Sequence, residues 1–182
     1  MKRWQLGQVM GVEIWFTGQS LLLSGLLWLF LSVAANIWLE LSVWQAAGLG
    51  FTAVCLHWLG DLSHQMGHAW VARRAGFPME KLVTWTLLLA SRYPRSEPPL
   101  PAKIHIRRAL GGPAASLLIT LTSGLLLLFF TWSVPFFYYL ILFIFWENLL
   151  VFFLGAFLPL GFTDGSTLLT WWPRRHEDNG RP

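Results

Sequence analysis

Two histidines four residues apart, His64 and His68, are the residues whose type and spacing could do chemistry. They lie in GDLSHQMGHAWVARRAG, residues 60–76. Because four residues make about one helical turn, both imidazoles face the same side of a helix and can bind one metal ion. Where such helices support zinc-dependent hydrolysis they read H-E-x-x-H, and the glutamate is the general base. This chain has Gln65 at that position, so the spacing predicts a metal site whose base is replaced by a neutral amide.

A metal held by histidines needs a further protein ligand, and Asp164 is the candidate. It lies in FLPLGFTDGSTLL, where Pro159 and Gly161 end the preceding helix and Gly165 leaves the carboxylate free to turn. The alternative for Asp164 is an ordinary Asp-Gly turn or the N-cap of the next helix. The ligand types favour zinc, but iron or cobalt would accept the same set.

Further polar residues lie within apolar stretches, where ionisable groups are costly and rarely idle. Spacings of four, three and four predict one polar stripe on a single helix face, made of His57, Asp61, His64 and His68. Asp61, one turn from His64, is the candidate hydrogen-bond acceptor for that ring. Glu147 and Asn148 predict either a polar wall of the site or interhelical hydrogen bonds, with Glu147 protonated. Either Asp61 or Glu147 could also serve as a substitute base.

The elements that must position these residues are membrane spans. The chain has 182 residues, of which 55% are apolar and 12% charged, a composition typical of membrane proteins. The sequence has no patch of interleaved basic and aromatic residues of the kind that binds nucleic acid, so we expect no nucleic-acid partner. Four stretches can cross a hydrocarbon core of about 30 Å, namely about Ser20–Trp38, Val43–Val71, Leu110–Phe130 and Val134–Leu160. We expect one α-helical polytopic domain over residues 1–173 and a polar tail over residues 174–182.

The basic residues predict the orientation of these spans. All 13 Lys and Arg lie before the first span, between the second and third, or after the fourth. The positive-inside rule then places both termini in the cytoplasm. His68 lies about 8 Å and His64 about 14 Å from Arg73 along the helix axis, so the site is predicted inside the membrane near its cytoplasmic face. The first apolar core begins about 17 residues after Arg3, too far for a cleaved signal peptide.

Two segments predict short β-strands on the cytoplasmic side. QLGQVMGVEIWFTG alternates in character before the first span and predicts one short strand. KLVTWTLLLAS, which follows the histidine helix, is a β-type run ahead of the proline-rich RYPRSEPPLPAK. We expect KLVTWTLLLAS to offer an edge strand that pairs with an unwound partner segment by β-augmentation. The alternative is an interfacial strand that only covers the loop.

Three motifs, in order, resemble the site-2 protease family of intramembrane zinc metalloproteases, in its short form without a PDZ insertion. HQMGHAWVARRAGFPM is similar to the family's H-E-x-G-H-A-x-x-A-x-x-x-G helix, GGPAASLL to its A-G-P-x-x-N motif, and FLPLGFTDGSTLL to its N-L-L-P-x-x-x-L-D-G-G motif. The resemblance covers about Gly7 to Leu169. It implies one Zn²⁺ per chain, bound by His64, His68 and Asp164, and a transmembrane protein or peptide substrate.

The departures from the family pattern fall on residues that would act on a substrate. Gln65 stands in place of the catalytic glutamate, and removing a general base costs about 10²–10⁴-fold in rate. Asn148 lies near, but out of register with, a family asparagine. Two further family asparagines are replaced, by Ser116 and Ala156. The resemblance implies that substrate is positioned by Gly112, Pro113, Ser116 and Ala156.

Three functions remain open. The first is an intramembrane zinc metallopeptidase homologue impaired by Gln65, either through an inactivating substitution or, as the changed asparagines favour, through natural divergence. The second is a pseudoprotease that binds metal and membrane partners without cutting them. The third and least favoured is a metal transporter or sensor, because the outer halves of three spans carry few polar residues. In each case we expect a multi-pass protein of the lipid bilayer, in the plasma membrane of a prokaryote.

Overall fold

The structure is a computed structural model, and it describes residues 3–129 and 135–176. The described elements, in chain order, are β1 (Arg3–Val9), β2 (Val12–Thr17), α1 (Gly18–Trp38), α2 (Val43–Arg74), β3 (Lys81–Trp85), β4 (Leu88–Arg92), α3 (Ala102–Phe129), α4 (Pro135–Glu147), a π-helical segment (Asn148–Leu154), a 3₁₀ turn (Gly155–Phe157) and α5 (Asp164–Trp171). The predicted turn between the third and fourth spans and residues 177–182 of the predicted tail lie outside the described residues.

Three helical stretches within the described residues are long and apolar enough to cross a membrane: Gly18–Trp38, Ala102–Phe129 and Phe136–Phe157. Many of their large apolar side chains are exposed, among them Leu21, Leu118 and Leu128, as expected of surfaces that face lipid. By these measures the protein is a multi-pass membrane protein. The third span begins eight residues before the predicted Leu110, since the basic stretch ahead of it continues the same helix.

The second predicted span, α2, is the central helix and differs in character from the other three. It is 32 residues long and packs against both α1 and α3. It begins at a capping box, in which the Gln45 N–H donates to Ser42 Oγ and the Ser42 N–H donates to Gln45 Oε1. It ends at Arg74, and two residues later Gly76 has a φ of 84°, a left-handed conformation that glycine adopts without strain. Its polar side chains, rather than its length, distinguish it from the three apolar helices.

The four strands form one sheet in the order β1-β2-β3-β4. Two antiparallel hairpins, β1–β2 and β3–β4, are joined by parallel pairing of β2 with β3. The predicted single strand before the first span is therefore wrong. The chain reverses at Met10 and Gly11, both with positive φ, and Met-Gly is a weaker hairpin signal than Asn-Gly.

The predicted edge strand KLVTWTLLLAS is also two strands. It folds back at Thr86, which has a φ of 59°, so β3 is an interior strand and β4 is the edge. Thr84 on β3 is 3% exposed and accepts the Thr17 N–H through Oγ1 at 2.9 Å. The expectation of partner pairing along this segment therefore applies to β4 alone.

Helices α2 and α3 touch through their backbones at Gly67 and Gly111. A Cβ atom on Gly67 would overlap the Gly111 carbonyl, and one on Gly111 would lie 2.6 Å from Gly67 O. Only glycine permits this approach. Pro113, inside α3 two residues after Gly111, has no N–H, so α3 lacks one of its internal hydrogen bonds there. The crossing brings the histidine face of α2 against residues 108–116 of α3.

A π-helical segment, Asn148–Leu154, interrupts the fourth apolar stretch. In such a segment the hydrogen bonds join residues five apart, which is rare and occurs mostly as short bulges. Asn148 is 1% exposed and donates through Nδ2 to Ile144 O at 3.0 Å. The 3₁₀ turn and a loop through Gly161 then lead to α5, whose first residue is Asp164.

Candidate metal centre

Three side chains from two distant parts of the chain converge at the start of α5. His64 and His68 are both buried, and their Nε2 atoms lie 3.1 Å apart. Asp164 Oδ2 lies 3.4 Å from each of these nitrogens. Ligand atoms bound tetrahedrally at about 2.0–2.1 Å from zinc are roughly 3.3 Å apart. The three atoms therefore form one face of a tetrahedron of the size that zinc requires, and the structure brings together the three residues that the sequence predicted as ligands.

The second ring nitrogens of the histidines fix which nitrogen is free to bind metal. His68 Nδ1 lies 2.7 Å from the Arg108 carbonyl oxygen, which can only accept a hydrogen bond. His64 Nδ1 lies 2.9 Å from Ser116 Oγ. The proton of the neutral His68 ring is therefore on Nδ1, which leaves its Nε2 lone pair free for a metal. The Ser116 hydroxyl can accept from His64 Nδ1, which permits the same arrangement in the His64 ring. Two lone pairs and a carboxylate oxygen facing one another form a site for a cation.

Gly112 leaves open the space in front of these ligand atoms. A Cβ atom there would overlap His68 Nε2 and lie 2.5 Å from His64 Nε2. Any other residue at this position of α3 would fill the volume into which both imidazoles point. The donor set and the space beside it therefore fit a zinc ion bound by His64, His68 and Asp164.

A buried arginine supports the His68 acceptor. Arg108 is 5% exposed and donates to both oxygens of Glu97, at 3.0 and 2.5 Å, and to Phe77 O at 2.5 Å. Its guanidinium lies 4.1 Å from the centre of the Tyr93 ring. Burial raises the pKa of Tyr93 to about 12, although the Arg108 charge opposes this. These contacts hold Arg108, whose carbonyl oxygen orients the His68 ring. The signal for this cluster in the sequence is an arginine four residues before Gly112.

The Gln65 side chain is bound to the edge strand β4. Its Nε2 donates to Leu89 O at 2.8 Å, and its Oε1 accepts from Ser91 Oγ at 2.5 Å. Gln65 is next to His64 in sequence, but the structure places its amide in hydrogen bonds with the sheet. Both polar atoms of the residue at the general-base position are thus occupied by β4.

The polar stripe predicted on α2 is two lines rather than one. Asp61 was predicted as the acceptor for His64, but its Oδ2 accepts the Leu89 N–H at 2.5 Å instead. His57 Nε2 donates to Leu87 O at 2.7 Å, and its Nδ1 lies 2.6 Å from Glu147 Oε1. His57, Asp61 and Gln65 therefore face β4 and the residue before it, while the other two histidines face α3. The sequence prediction failed because helical spacing alone cannot separate two adjacent faces.

Comparison with known proteins bears on the architecture that holds this site. No protein-family model and no curated protein sequence matches the chain. The solved structure of the Site-2 Protease from Methanocaldococcus jannaschii matches it with a TM-score of 0.64 and 18% identity, over 97% of this chain and 74% of that chain. The chain has the site-2 protease fold. The resemblance noted in the sequence is thereby confirmed in the fold, a helical bundle with a small sheet.

Within the site-2 protease fold, two of the four residues predicted to position substrate, Gly112 and Ser116, lie against the two histidines. Ser116 is fully buried and bonded to His64, and Pro113 is fully buried within α3. Ala156 is buried in the 3₁₀ turn, and Asn148 lies against Gly60 of α2. Glu147 makes the interhelical hydrogen bond that was one of its two predicted uses. The contact to His64 gives Ser116 a metal-orienting position that the sequence did not predict, and a role in holding substrate stays a prediction.

The Ser116 contact yields a first expected result. Ser116→Ala should weaken zinc binding by about 10–100-fold, the usual effect of losing a hydrogen bond to a metal-binding histidine. Ser123→Ala is the matched control, because Ser123 is also buried in α3 but its hydroxyl donates only to carbonyls of its own helix. Competition with a chelating dye measures both affinities. Equal affinities in the two variants would contradict the orienting contact.

Proposed function

We propose that this protein is a site-2-protease-like intramembrane zinc metallopeptidase homologue whose hydrolytic step is impaired. The observation that carries the proposal is the triangle of His64 Nε2, His68 Nε2 and Asp164 Oδ2, with sides of 3.1, 3.4 and 3.4 Å, and the space left by Gly112 in front of it. When bound, zinc acts as a Lewis acid and makes water nucleophilic at neutral pH.

The residues of this chain divide the remaining tasks. Arg108 and Ser116 hold the two rings in the tautomer that leaves Nε2 free. Gln65 occupies the position where a general base would take a proton from the attacking water, and a neutral amide cannot accept that proton. Asp61 and Glu147, the candidate substitute bases, are engaged by Leu89 and His57. The impairment therefore follows from the neutral amide of Gln65 at the position of the general base.

Substrate class and orientation belong to the same proposal. The substrate or partner is a transmembrane protein or peptide that approaches the site near the cytoplasmic face of the bilayer. Both termini are cytoplasmic, α2 crosses as a fourth span shielded by α1 and α3, and the membrane is the plasma membrane of a prokaryote. The positions of the basic residues and the fold support this arrangement.

A pseudoprotease that binds membrane partners without cutting them is the second candidate. One specific observation favours it: both polar atoms of Gln65 are bound to β4. A residue used in this way has a structural reason to be glutamine, independent of catalysis. The two candidates share the metal site and differ in whether any hydrolysis remains.

The experiment is zinc analysis and a cleavage assay on the purified, unaltered chain in nanodiscs. We expect about one zinc per chain and no cleavage of a reporter transmembrane peptide above a chelator-treated control. Absence of zinc would contradict the metal site. Chelator-sensitive cleavage at a rate similar to that of Gln65→Glu would contradict the impairment and direct attention to Asp61 or Glu147 as a base. A residual slow rate would favour the metallopeptidase homologue over the pseudoprotease.

A further inference from the structure

Side chains of α2 form hydrogen bonds with the outer edge of β4 and with Leu87, the residue before it. His57 Nε2 donates to Leu87 O at 2.7 Å, the Leu89 N–H donates to Asp61 Oδ2 at 2.5 Å, and Gln65 Nε2 donates to Leu89 O at 2.8 Å. A fourth bond runs from Ser91 Oγ to Gln65 Oε1. We call these four contacts the edge ladder.

The edge ladder forms because the spacing of side chains along one face of α2 is close to the spacing of outward backbone groups along β4. Side chains four residues apart on a helix are separated by about 6.0 Å along its axis. Backbone groups two residues apart on a strand are separated by about 6.6–6.8 Å. His57, Asp61 and Gln65 follow the first spacing, and the residues that they contact in turn, Leu87, Leu89 and Ser91, follow the second, with Gln65 Nε2 reaching back to Leu89 O. A helix can therefore present side chains to a strand in nearly the register of a neighbouring strand.

The order of donors and acceptors in the edge ladder is also that of a strand. Along α2 it reads donor at His57, acceptor at Asp61 and donor at Gln65. A paired strand would offer the same sequence of N–H, C=O and N–H groups to Leu87 O, Leu89 N and Leu89 O. A free strand edge pairs readily with an extended peptide, and at this edge Leu87 O, Leu89 N and Leu89 O are already bonded to side chains of α2.

We propose that the edge ladder takes the place of a neighbouring strand and keeps β4 closed to an extended peptide segment. The closure stands on the four contacts, and it rests on the proposed function only for the kind of peptide that is kept out. An incoming segment must break the hydrogen bonds that join Leu89 to Asp61 and Gln65 before its own backbone can pair with Leu89.

Residue 65 decides whether the ladder is complete. Glutamine donates to Leu89 O, whereas an ionised glutamate has only acceptors and would face that carbonyl with like polarity. Glutamate at this position would lose the hydrogen bond to Leu89 O. Both the Leu89 carbonyl on the β4 edge and the new carboxylate would then be free. Gln65 therefore accounts for two properties at once, the missing base and the closed edge.

Hydrogen exchange at one amide tests the closure in the unaltered chain. In ¹⁵N-labelled protein in micelles, the Leu89 amide should be protected. Asp61→Ala should speed its exchange by about 10–100-fold, as expected when a buried N–H loses its hydrogen-bond partner. Ser63→Ala, on the same helix with its hydroxyl bonded to Leu59 O, should leave it unchanged. Rapid exchange of the Leu89 amide in the unaltered chain would overturn the proposal without reference to any variant.

Cross-linking of an extended peptide tests whether β4 is closed to such a segment. The probe is a synthetic octapeptide of alternating valine and threonine with a central photo-reactive benzoylphenylalanine, and cross-linked sites are mapped by mass spectrometry. Gln65→Leu and Asp61→Ala should give at least about tenfold more cross-links to β4 than the unaltered chain or Ser63→Ala. Equal cross-linking of β4 in all four proteins would overturn the proposal. Zinc content, measured on the same samples, reports separately on the proposed function, since loss of the metal site would leave the Leu89 amide protected.

Discussion

The variant Gln65→Glu, Ser116→Asn, Ala156→Asn is expected to cleave a reporter transmembrane peptide at least about 100-fold faster than the unaltered chain. A carboxylate accepts the proton that an amide cannot, and a positioned general base contributes about 10²–10⁴-fold. Glutamate and glutamine have nearly the same shape, so α2 and its ligands should not move. Loss of the bond to Leu89 O frees the new carboxylate to turn toward the ligand triangle.

The single and combined variants separate the base from the asparagines. Gln65→Glu alone tests the base. Ser116 is fully buried, so the larger asparagine costs about 1–3 kcal/mol in stability, although its Oδ1 can still accept the His64 Nδ1 proton. Gln65→Glu with Ala156→Asn is therefore the combination less exposed to misfolding. Chelator-sensitive rates at or below that of the unaltered chain in all of these folded variants would contradict Gln65 as the cause of the impairment.

Gly112→Ala should reduce bound zinc from about one per chain to near zero. The added Cβ atom would overlap His68 Nε2 and crowd His64 Nε2, and neither ring can retreat because its Nδ1 atom is held by α3. His64→Ala and His68→Ala should lose the metal equally, since each removes a ligand. Metal analysis of purified protein by mass spectrometry measures all three.

Gly48→Ala is the matched control for that substitution. Gly48 lies in α2, and a Cβ atom there meets nothing within 4 Å, so alanine should be tolerated or mildly stabilising. Full zinc content in Gly48→Ala and near-zero content in a folded Gly112→Ala is the expected result. A Gly112→Ala protein with full zinc content would show that the metal does not occupy the space in front of the two imidazoles.

The sequence could predict the cluster of His64, His68 and Asp164 because its main signal is local. Two histidines one turn apart face the same side of any helix, whatever packs against it, and Asp164 was indicated by the helix-ending residues before it. The Arg108 carbonyl and Ser116 could not be predicted as their partners. Those contacts depend on where α3 crosses α2, which the approach of Gly67 to Gly111 determines and no spacing along one helix reveals.

The strands were predicted less well for a related reason. Alternating character indicates that a segment is extended, but it does not show where the segment reverses when the turn residues are Met10 or Thr86. With the second hairpin undetected, the edge of β4 and its pairing with α2 could not be anticipated. The same omission made Asp61 look like a partner for His64, since both face roughly the same way and the competing acceptor site was a backbone amide of an unpredicted strand.

The π-helical segment at Asn148–Leu154 affects how this chain should be aligned with others. A π-bulge corresponds to one residue more than an α-helix of the same path contains. A relative with a regular helix there would need a one-residue gap within this segment. Without that gap, every position upstream is shifted by one relative to the L-P motif that follows. Because adjacent residues on a helix are about 100° apart around its axis, each shifted position would be compared with a residue on a different face. Asn148, out of register when counted along the sequence, is the first residue whose correspondence depends on where that gap is placed.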